Sequence, residues 1–214
     1  MITAIFDLDG TLADTICDLG DAVNYGLEKL GFPTHDYESY KKMVGNGVKK
    51  LCLRALPEDK KEKTEELLGL FREYYNVHYL DKTCLYDGMK ETLEKLSDSG
   101  VVLAVATNKP EDVAREIVME LLPDTDFVKV LGGVDYRPSK PDSAILIEIF
   151  AALPDVENRV YMIGDSNVDV QTAKNAGIES IGCAWGFRGR AELEAEGADF
   201  IAEKPADIAD IILK

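Results

Sequence analysis

Apolar and polar positions follow two different patterns in the second half of the chain. Short stretches that are apolar on successive residues are typical of strands buried on both faces, and each of them is preceded by a stretch with helical spacing. This alternation predicts a doubly wound, Rossmann-like α/β fold with a parallel sheet between two layers of helices. The predicted strands are residues 2–5, 101–106, 127–131, 160–163 and 180–184, and the predicted helices are 88–97, 110–122, 142–152 and 168–176.

The segment that follows the first predicted strand has a different pattern. Its apolar residues recur at helical spacing from Leu19 to Leu30, just before Gly31, and strand signals are few. The run of lysine and glutamate after Pro57 is typical of a solvated helix face. We therefore expect an α/β core domain with a helical domain inserted after its first strand. The expected boundaries are residues 1–13 and 86–214 for the core, and 14–85 for the helical domain.

Composition and charge narrow the possible functions. The 214 residues carry a net charge of -16, which disfavours binding to nucleic acid or to an anionic membrane surface. No apolar run approaches the roughly 20 residues needed to span a bilayer, so a cytoplasmic protein is expected, with the oligomeric state left open. The cysteines form no CxxC pair and histidines are few, so we expect no zinc site and no disulfides, but reduced, mostly buried thiols. The cysteines are Cys17, Cys52, Cys84 and Cys183.

The polar residues of the α/β core are concentrated where the predicted strands end. Ligands of such a sheet bind at the carboxyl ends of the strands, near the point where the strand order reverses. The first strand ends in Asp7 and Asp9 before Gly10, a stretch that, taken alone, also fits an acidic turn. Residues far apart in the sequence are nevertheless predicted to converge at one edge. They are Asp7, Asp9, Thr107, Asn108, Lys140, Asp165 and Asp169.

This set of side chains fits the chemistry of phosphoryl transfer. Mg²⁺ prefers hard oxygen ligands and keeps several waters, so the carboxylates of Asp7, Asp165 and Asp169 suffice to hold one ion. A carboxylate can itself attack phosphorus when a metal and an amine neutralise the phosphoryl oxygens. We expect Asp7 to be the nucleophile, because it continues the strand. Asp9, two residues on, is then placed to act as general acid and base.

Four short motifs occur in a fixed order along the core. They are DLDGT at Asp7, ATN ending at Asn108, SKP around Lys140 and GDSNVD from Gly164. Together they resemble the signature of the haloacid dehalogenase superfamily, and the chain is identified as a member of its phosphatases, on the phosphoglycolate phosphatase-like branch. The resemblance implies that Thr107, Asn108 and Lys140 bind the phosphate of a small metabolite. It also implies a Mg²⁺ cofactor bound by Asp7, Asp165, Asp169 and the backbone carbonyl of Asp9.

The helical insertion resembles the cap of that family, which closes over the site and selects the substrate. The stretch VGNGVKKLCLRAL from Val44 is similar to the cap of phosphoglycolate phosphatases. It implies that the backbone of Gly45, Asn46 and Gly47 meets an anionic substrate at a helix N-terminus. The alternative is a loop between two helices with these glycines as cap and breaker. The WGFR stretch resembles the same branch, and Arg188 within it either contacts substrate or lies on the surface.

The sequence thus predicts a magnesium-dependent phosphatase that hydrolyses a small phosphate monoester through an aspartyl-phosphate. We expect 2-phosphoglycolate as the substrate, with nucleoside monophosphates and pyrophosphate as alternatives. A phosphosugar mutase of the β-phosphoglucomutase type would share every core motif and differ in its cap. The dehalogenases and phosphonate hydrolases of the superfamily lack the acid that Asp9 provides. A receiver domain would carry its acceptor on a middle strand of a shorter chain, and a noncatalytic binding protein is the remaining alternative.

Overall fold

The computed structural model describes residues 1–153 and 159–214 of the chain. The strands are β1 (Ile2–Phe6), β2 (Ala13–Asp14), β3 (Cys84–Leu85), β4 (Val102–Pro110), β5 (Phe127–Gly133), β6 (Arg159–Gly164), β7 (Glu179–Cys183) and β8 (Phe200–Ala202). The helices are α1 (Ile16–Lys29), α2 (Tyr37–Met43), α3 (Val48–Ala55), α4 (Thr64–His78), α5 (Met89–Asp98), α6 (Glu111–Leu121), α7 (Ala144–Phe150), α8 (Asn167–Ala176), α9 (Arg190–Glu196) and α10 (Pro205–Ile212). A 3₁₀ helix, Glu58–Lys63, precedes α4.

Six of these strands form one parallel sheet in the order β5-β4-β1-β6-β7-β8. The strand order reverses at β1, which has β4 on one side and β6 on the other. Phe6, the last residue of β1, pairs with Val105 of β4 and with Ile163 of β6. The carboxyl ends of the three central strands therefore lie side by side, and the predicted doubly wound α/β fold is confirmed.

Helices cover both faces of this sheet, as the unbroken apolar strands predicted. Side chains of a strand point alternately to opposite faces, so Phe6 and Ile5 belong to different apolar clusters. The cluster around Phe6 includes apolar residues of α5, α6 and α10, whereas the cluster around Ile5 includes residues of α7 and α8. Burial on both faces makes β1 a rigid support for the residues that follow it.

The helices α1 to α4 build a third apolar cluster of their own. Leu19, Val23 and Leu27 of α1 pack there with residues of α3 and α4 such as Phe71. A two-stranded antiparallel sheet of β2 and β3 joins the beginning and the end of this helical segment, because Ala13 pairs with Leu85. Assignment of residues 14–85 as a separate cap domain stays a prediction.

Some elements differ from the sequence expectations. The elements α9, β8 and α10 were not predicted, because β8 is only three residues long and the flanking helices are short. Strand β4 continues past Ala106 to Pro110, with an irregular register against β5. The expectation of mostly buried cysteines is wrong for two of them. Cys52 and Cys183 are buried, but Cys17 is half-buried and Cys84 is exposed on the short strand β3; all four are free thiols.

Among the described residues, none of the helices combines the length and apolar character that a membrane crossing requires.

Candidate active site

Asp7 extends the central strand by one residue. Its backbone N–H donates to the carbonyl of Ile163 at 2.8 Å, so the ladder between β1 and β6 continues to this point. One carboxylate oxygen, Oδ1, accepts from the N–H of Leu8 at 2.7 Å. The following turn needs glycine, because Gly10 has φ of 82° and a Cβ there would lie 2.4 Å from Oδ2 of Asp165. The acidic turn and the candidate active site are thus the same feature.

Three buried carboxylates converge beside this turn. Asp7, Asp165 and Asp169 each offer one oxygen, and these atoms lie within 4.8 Å of one another. The carboxylate of Asp165 accepts from the N–H of Phe187 at 2.7 Å. That of Asp169 accepts from the hydroxyl of Ser166 at 2.7 Å, in a capping box at the start of α8. The sequence spacing of Ser166 and Asp169 therefore fixes the carboxylate through a helix cap.

The negative charge of this cluster is only partly neutralised by the protein. Burial raises the pKa of Asp7 to about 6, against the lowering effect of the Lys140 ammonium. Burial, with the nearby carboxylates of Asp169 and Asp7, also raises the pKa of Asp165 well above its usual range. A cation bound between these oxygens would relieve both effects. A set of hard oxygen donors fits Mg²⁺ better than a metal that prefers sulfur or nitrogen.

Lys140 is buried directly beside Asp7. Its Nζ lies 3.1 Å from Oδ1 of Asp7 and 2.7 Å from Oδ1 of Asp169. Burial opposes the charged form, yet Asp169 and Asp7 hold the pKa of Lys140 above its usual value. The Asn108 side chain accepts from the Lys140 N–H at 2.8 Å and donates to the Lys140 carbonyl at 3.1 Å and to that of Gly45 at 3.0 Å. Asn108 thus positions Lys140 and contacts the helical segment.

Asp9 is surrounded by residues that the sequence analysis missed. Its Oδ1 accepts from Nζ of Lys109 at 2.9 Å and from the hydroxyl of Thr15 at 2.7 Å. The ammonium of Lys109 also donates to the hydroxyl of Tyr75, on α4, at 2.7 Å. The Lys109 side chain is 1 % exposed. The sequence did contain one signal that could have identified Lys109 as a site residue, which is its position directly after the ATN motif. Lys109 thereby connects Asp9 with the helical segment.

A small pocket lies between the sheet edge and the helical segment. The centre of a water molecule can move through about 30 Å³ of this pocket. By the same measure a single bound water needs about 10–15 Å³, so the pocket can admit water. The residues that line it come from both parts of the chain. Those of the α/β part include Asp7, Asp9, Thr107, Asn108, Lys109, Asp165 and Arg188, and those of the helical segment include Leu19, Val44, Gly45, Gly47, Val48 and Leu51.

The structure brings together all but one of the predicted site residues. Gly45 and Gly47 line the pocket, and Gly47 immediately precedes α3 with φ of 84°. Thr107 lines the pocket too, and its side chain is buried. Asn46 lies beside the pocket without lining it, because its side-chain oxygen accepts from Arg54 at 2.6 Å. The loop between α2 and α3 is thus both the predicted connector and part of the pocket wall.

Comparisons with known proteins agree with the motifs. The family model described as haloacid dehalogenase-like hydrolase matches residues 4–183. A phosphoglycolate phosphatase from Vibrio parahaemolyticus is 33% identical over 97% of this chain and 94% of its own length. A phosphoglycolate phosphatase from Pseudomonas putida is 32% identical over 93% of this chain and 75% of its own length.

Solved structures show the same likeness in three dimensions. The crystal structure of a candidate phosphoglycolate phosphatase from Lactobacillus delbrueckii subsp. bulgaricus superposes with a TM-score of 0.92 at 29% identity. The match covers 98% of this chain and 97% of that one. The family model, the relatives and the crystal structure from Lactobacillus delbrueckii subsp. bulgaricus agree on the same family. The chain therefore belongs to the haloacid dehalogenase-like hydrolases and is a phosphatase of that family.

Proposed function

We propose that this phosphatase is magnesium-dependent and hydrolyses 2-phosphoglycolate through an aspartyl-phosphate on Asp7. The observation that carries the proposal is the cluster of three buried carboxylates with the Lys140 ammonium 3.1 Å from Asp7. Two of these carboxylates, Asp7 and Asp165, line the pocket. Burial of several like charges lowers the stability of the fold unless a bound ligand neutralises them, so such a cluster is typical of a functional site.

In the first half of the reaction, a carboxylate oxygen of Asp7 attacks the phosphorus of the bound ester. The bond between phosphorus and the ester oxygen breaks as the aspartyl-phosphate forms. Asp9 donates a proton to the departing oxygen, so that the product leaves as an alcohol. Lys140 and Thr107 stabilise the charge on the phosphoryl oxygens.

In the second half, Asp9 takes a proton from a water molecule, and the oxygen of that water attacks the same phosphorus. The bond from phosphorus to the Asp7 oxygen breaks, phosphate is released, and the Asp7 carboxylate is restored. Lys109 and Thr15 hold Asp9 in one orientation through both steps. One residue thus serves as acid and then as base.

The residues that would hold Mg²⁺ are the carboxylates of Asp7, Asp165 and Asp169, together with the backbone carbonyl of Asp9. When bound, the ion supplies positive charge that offsets the negative charge of the phosphoryl group and of the nucleophile. This assignment rests on the convergence of three buried oxygen ligands and on the raised pKa of Asp165.

The choice of 2-phosphoglycolate is supported by the names of two relatives. The proteins from Vibrio parahaemolyticus and Pseudomonas putida that this chain resembles are both named phosphoglycolate phosphatase. Location in the cytoplasm stays a prediction.

A first test measures phosphate release from a panel of esters. We expect the highest kcat/KM with 2-phosphoglycolate, loss of activity after EDTA treatment, and recovery on addition of Mg²⁺. The panel includes a nucleoside monophosphate, pyrophosphate and β-glucose 1-phosphate as alternatives. Full activity after exhaustive removal of metal would refute the magnesium requirement. Conversion of β-glucose 1-phosphate to glucose 6-phosphate with little release of phosphate would favour a mutase.

We further propose that residues 14–85 act as a cap that controls substrate choice. Support comes from the contact of the helical segment with the core at the pocket, where Asn108 donates to the Gly45 carbonyl and Lys109 donates to Tyr75. The antiparallel pair of β2 and β3 is the place where both connections between the two parts run side by side. Closure there would exclude water from the pocket.

The cap proposal predicts a substrate-dependent effect of Gly47→Val. Valine is strained at the φ of 84° found there, so the loop should shift and kcat/KM for 2-phosphoglycolate should fall about tenfold or more. Hydrolysis of p-nitrophenyl phosphate, which can react with the cap open, should fall less. The control is Gly31→Val, at φ of 73° with no atom near its Cβ position and away from the pocket. An equal loss with both substrates, in a folded variant, would contradict a selective role for the cap.

A further inference from the structure

Arg188 lies in the pocket wall without a close carboxylate partner. Its side chain is 16% exposed, and within the described ranges its one carboxylate neighbour closer than 4 Å is Glu192, at 3.9 Å. Another oxygen of Glu192 accepts from the N–H of Asn167 at 3.1 Å. The Nη2 atom of Arg188 donates to the carbonyl of Val44 at 2.8 Å. A guanidinium has five N–H donors, so these contacts leave Arg188 with donors for a ligand.

Four other arginines of this acidic protein are paired closely with carboxylates, whereas the exposed Arg72 forms no ion pair within the described part of the chain. Their nitrogen to carboxylate distances are 2.7 to 2.9 Å at Arg115, Arg137, Arg159 and Arg190. Arg54 resembles Arg188 instead, because it donates to the Met43 carbonyl and the Asn46 side chain and forms no ion pair within the described ranges. Two guanidinium groups that lack close carboxylates thus flank the loop between α2 and α3. Such a pair makes the surroundings of this loop locally positive, which favours the approach of an anion.

The position of Arg188 is fixed by the proposed metal site. The N–H of Phe187, its neighbour in the chain, donates to Asp165 at 2.7 Å, and the indole N–H of Trp185 donates to the carbonyl of Thr11 at 3.2 Å. The segment that carries Arg188 is therefore anchored on both the carboxylate cluster and the turn after β1. Because of these anchors, the distance from the phosphoryl site to the guanidinium is set by the core of the fold.

The other two cations of the site already have partners. Lys140 contacts the carboxylates of Asp7 and Asp169, and Lys109 contacts Asp9 and Tyr75. Arg188 is therefore the cation in the pocket wall best able to bind a second negative charge on the substrate. A planar guanidinium matches a carboxylate with two parallel hydrogen bonds, which gives geometric selectivity as well as affinity.

We propose that Arg188 is the specificity-determining residue that binds the carboxylate of the substrate, so that the enzyme prefers short phosphate esters with a carboxylate at the far end. This inference rests on the proposed function and deepens it. It explains how a strongly acidic protein accepts a substrate with two anionic groups. It also assigns the two anionic groups of the substrate to different cations of the site, the phosphoryl group to Lys140 and the carboxylate to Arg188.

The test compares two esters that differ only at that end, 2-phosphoglycolate and 2-hydroxyethyl phosphate. The readout is kcat/KM for 2-phosphoglycolate divided by kcat/KM for 2-hydroxyethyl phosphate. We expect Arg188→Met to lower this ratio about 10- to 100-fold, the range for loss of a charge-assisted hydrogen bond. Arg188→Lys, which keeps the charge without the planar fork, should restore part of the ratio. Arg190→Met, in the same region but paired with Glu194 and Glu203, is the matched control and should leave the ratio unchanged.

The possible failures are distinguishable. If the wild-type enzyme released no phosphate from either ester in the presence of Mg²⁺, the proposed function itself would be wrong. If it hydrolysed both but Arg188→Met and Arg188→Lys lowered both activities in the same proportion, Arg188 would only hold the Val44 loop, and the inference would be overturned. A wild-type enzyme without preference for the carboxylated ester would overturn it equally. Thermal unfolding followed by circular dichroism shows whether each variant is folded.

Discussion

Asp7→Asn is expected to lower kcat by a factor on the order of 10³ or more. The asparagine amide keeps the shape of the side chain but cannot attack phosphorus, and it removes a proposed metal ligand. Folding should not suffer, because the change removes one of three carboxylates that lie buried together and Lys140 keeps its 2.7 Å contact with Asp169. We therefore expect a thermal midpoint at or above that of the wild type in metal-free buffer. Phosphate release and circular dichroism measure the two effects.

A second measurement identifies the attacked residue. After acid quench during turnover, mass spectrometry of wild-type protein should place the phosphoryl adduct on Asp7. Asp98→Asn, an exposed position at the end of α5, is the control and should keep full activity. An adduct found only on another residue, or wild-type activity in folded Asp7→Asn, would contradict the assignment of the nucleophile.

Asp9→Asn is expected to slow the reaction in a way that depends on the leaving group. An alkoxide such as that of 2-phosphoglycolate needs a proton as it departs, so kcat/KM should fall about 10²- to 10⁴-fold. The p-nitrophenolate ion is stable without a proton, so the first step with p-nitrophenyl phosphate should be affected much less. The second step still lacks its base. We therefore expect a rapid burst of about one p-nitrophenol per enzyme, followed by slow turnover.

Rapid mixing with absorbance detection measures this burst, and the phosphorylated form of Asp7 should accumulate in parallel. Asp87→Asn provides a comparison at an exposed aspartate and should show no burst. Equal losses with the alkyl and aryl esters, without a burst, would mean that Asp9 only supports the structure of the turn. The contacts of Asp9 with Lys109 and Thr15 would then be its main role.

Much of the candidate site could be predicted from the sequence because short-range patterns decide it. Unbroken apolar stretches that alternate with helices indicate a parallel sheet covered on both faces. The carboxyl ends of the strands in such a sheet lie at one edge, independently of the conformation of the loops. The meeting of Asp7, Asp165 and Lys140 follows from that rule and from motif order. The capping box of Ser166 and Asp169 is likewise a local feature, because its two residues are three positions apart.

Other features depend on contacts between residues distant in the chain, and only the tertiary structure decided them. Lys109 reaches both Asp9 and Tyr75, which lie 100 and 34 positions away, so no local pattern could pair them. The prediction for Asn46, as for Gly45 and Gly47, concerned the backbone and remains a prediction. The direction of the Asn46 side chain, toward Arg54, came only from the packing of the loop. A local pattern defines the loop and its glycines, whereas the direction of each side chain follows from what packs against it.

The same division explains Arg188. From the sequence, an arginine at this position was compatible with a substrate contact, but a surface position was the favoured interpretation. The hydrogen bond from Phe187 to Asp165 and the one from Arg188 to Val44 together place its guanidinium in the pocket wall. The sequence by itself determined the fold class and the catalytic edge, because hydrophobic patterning and motif order act locally. The tertiary structure decided which charges remain for a ligand, because that depends on how every neighbouring charge is already paired.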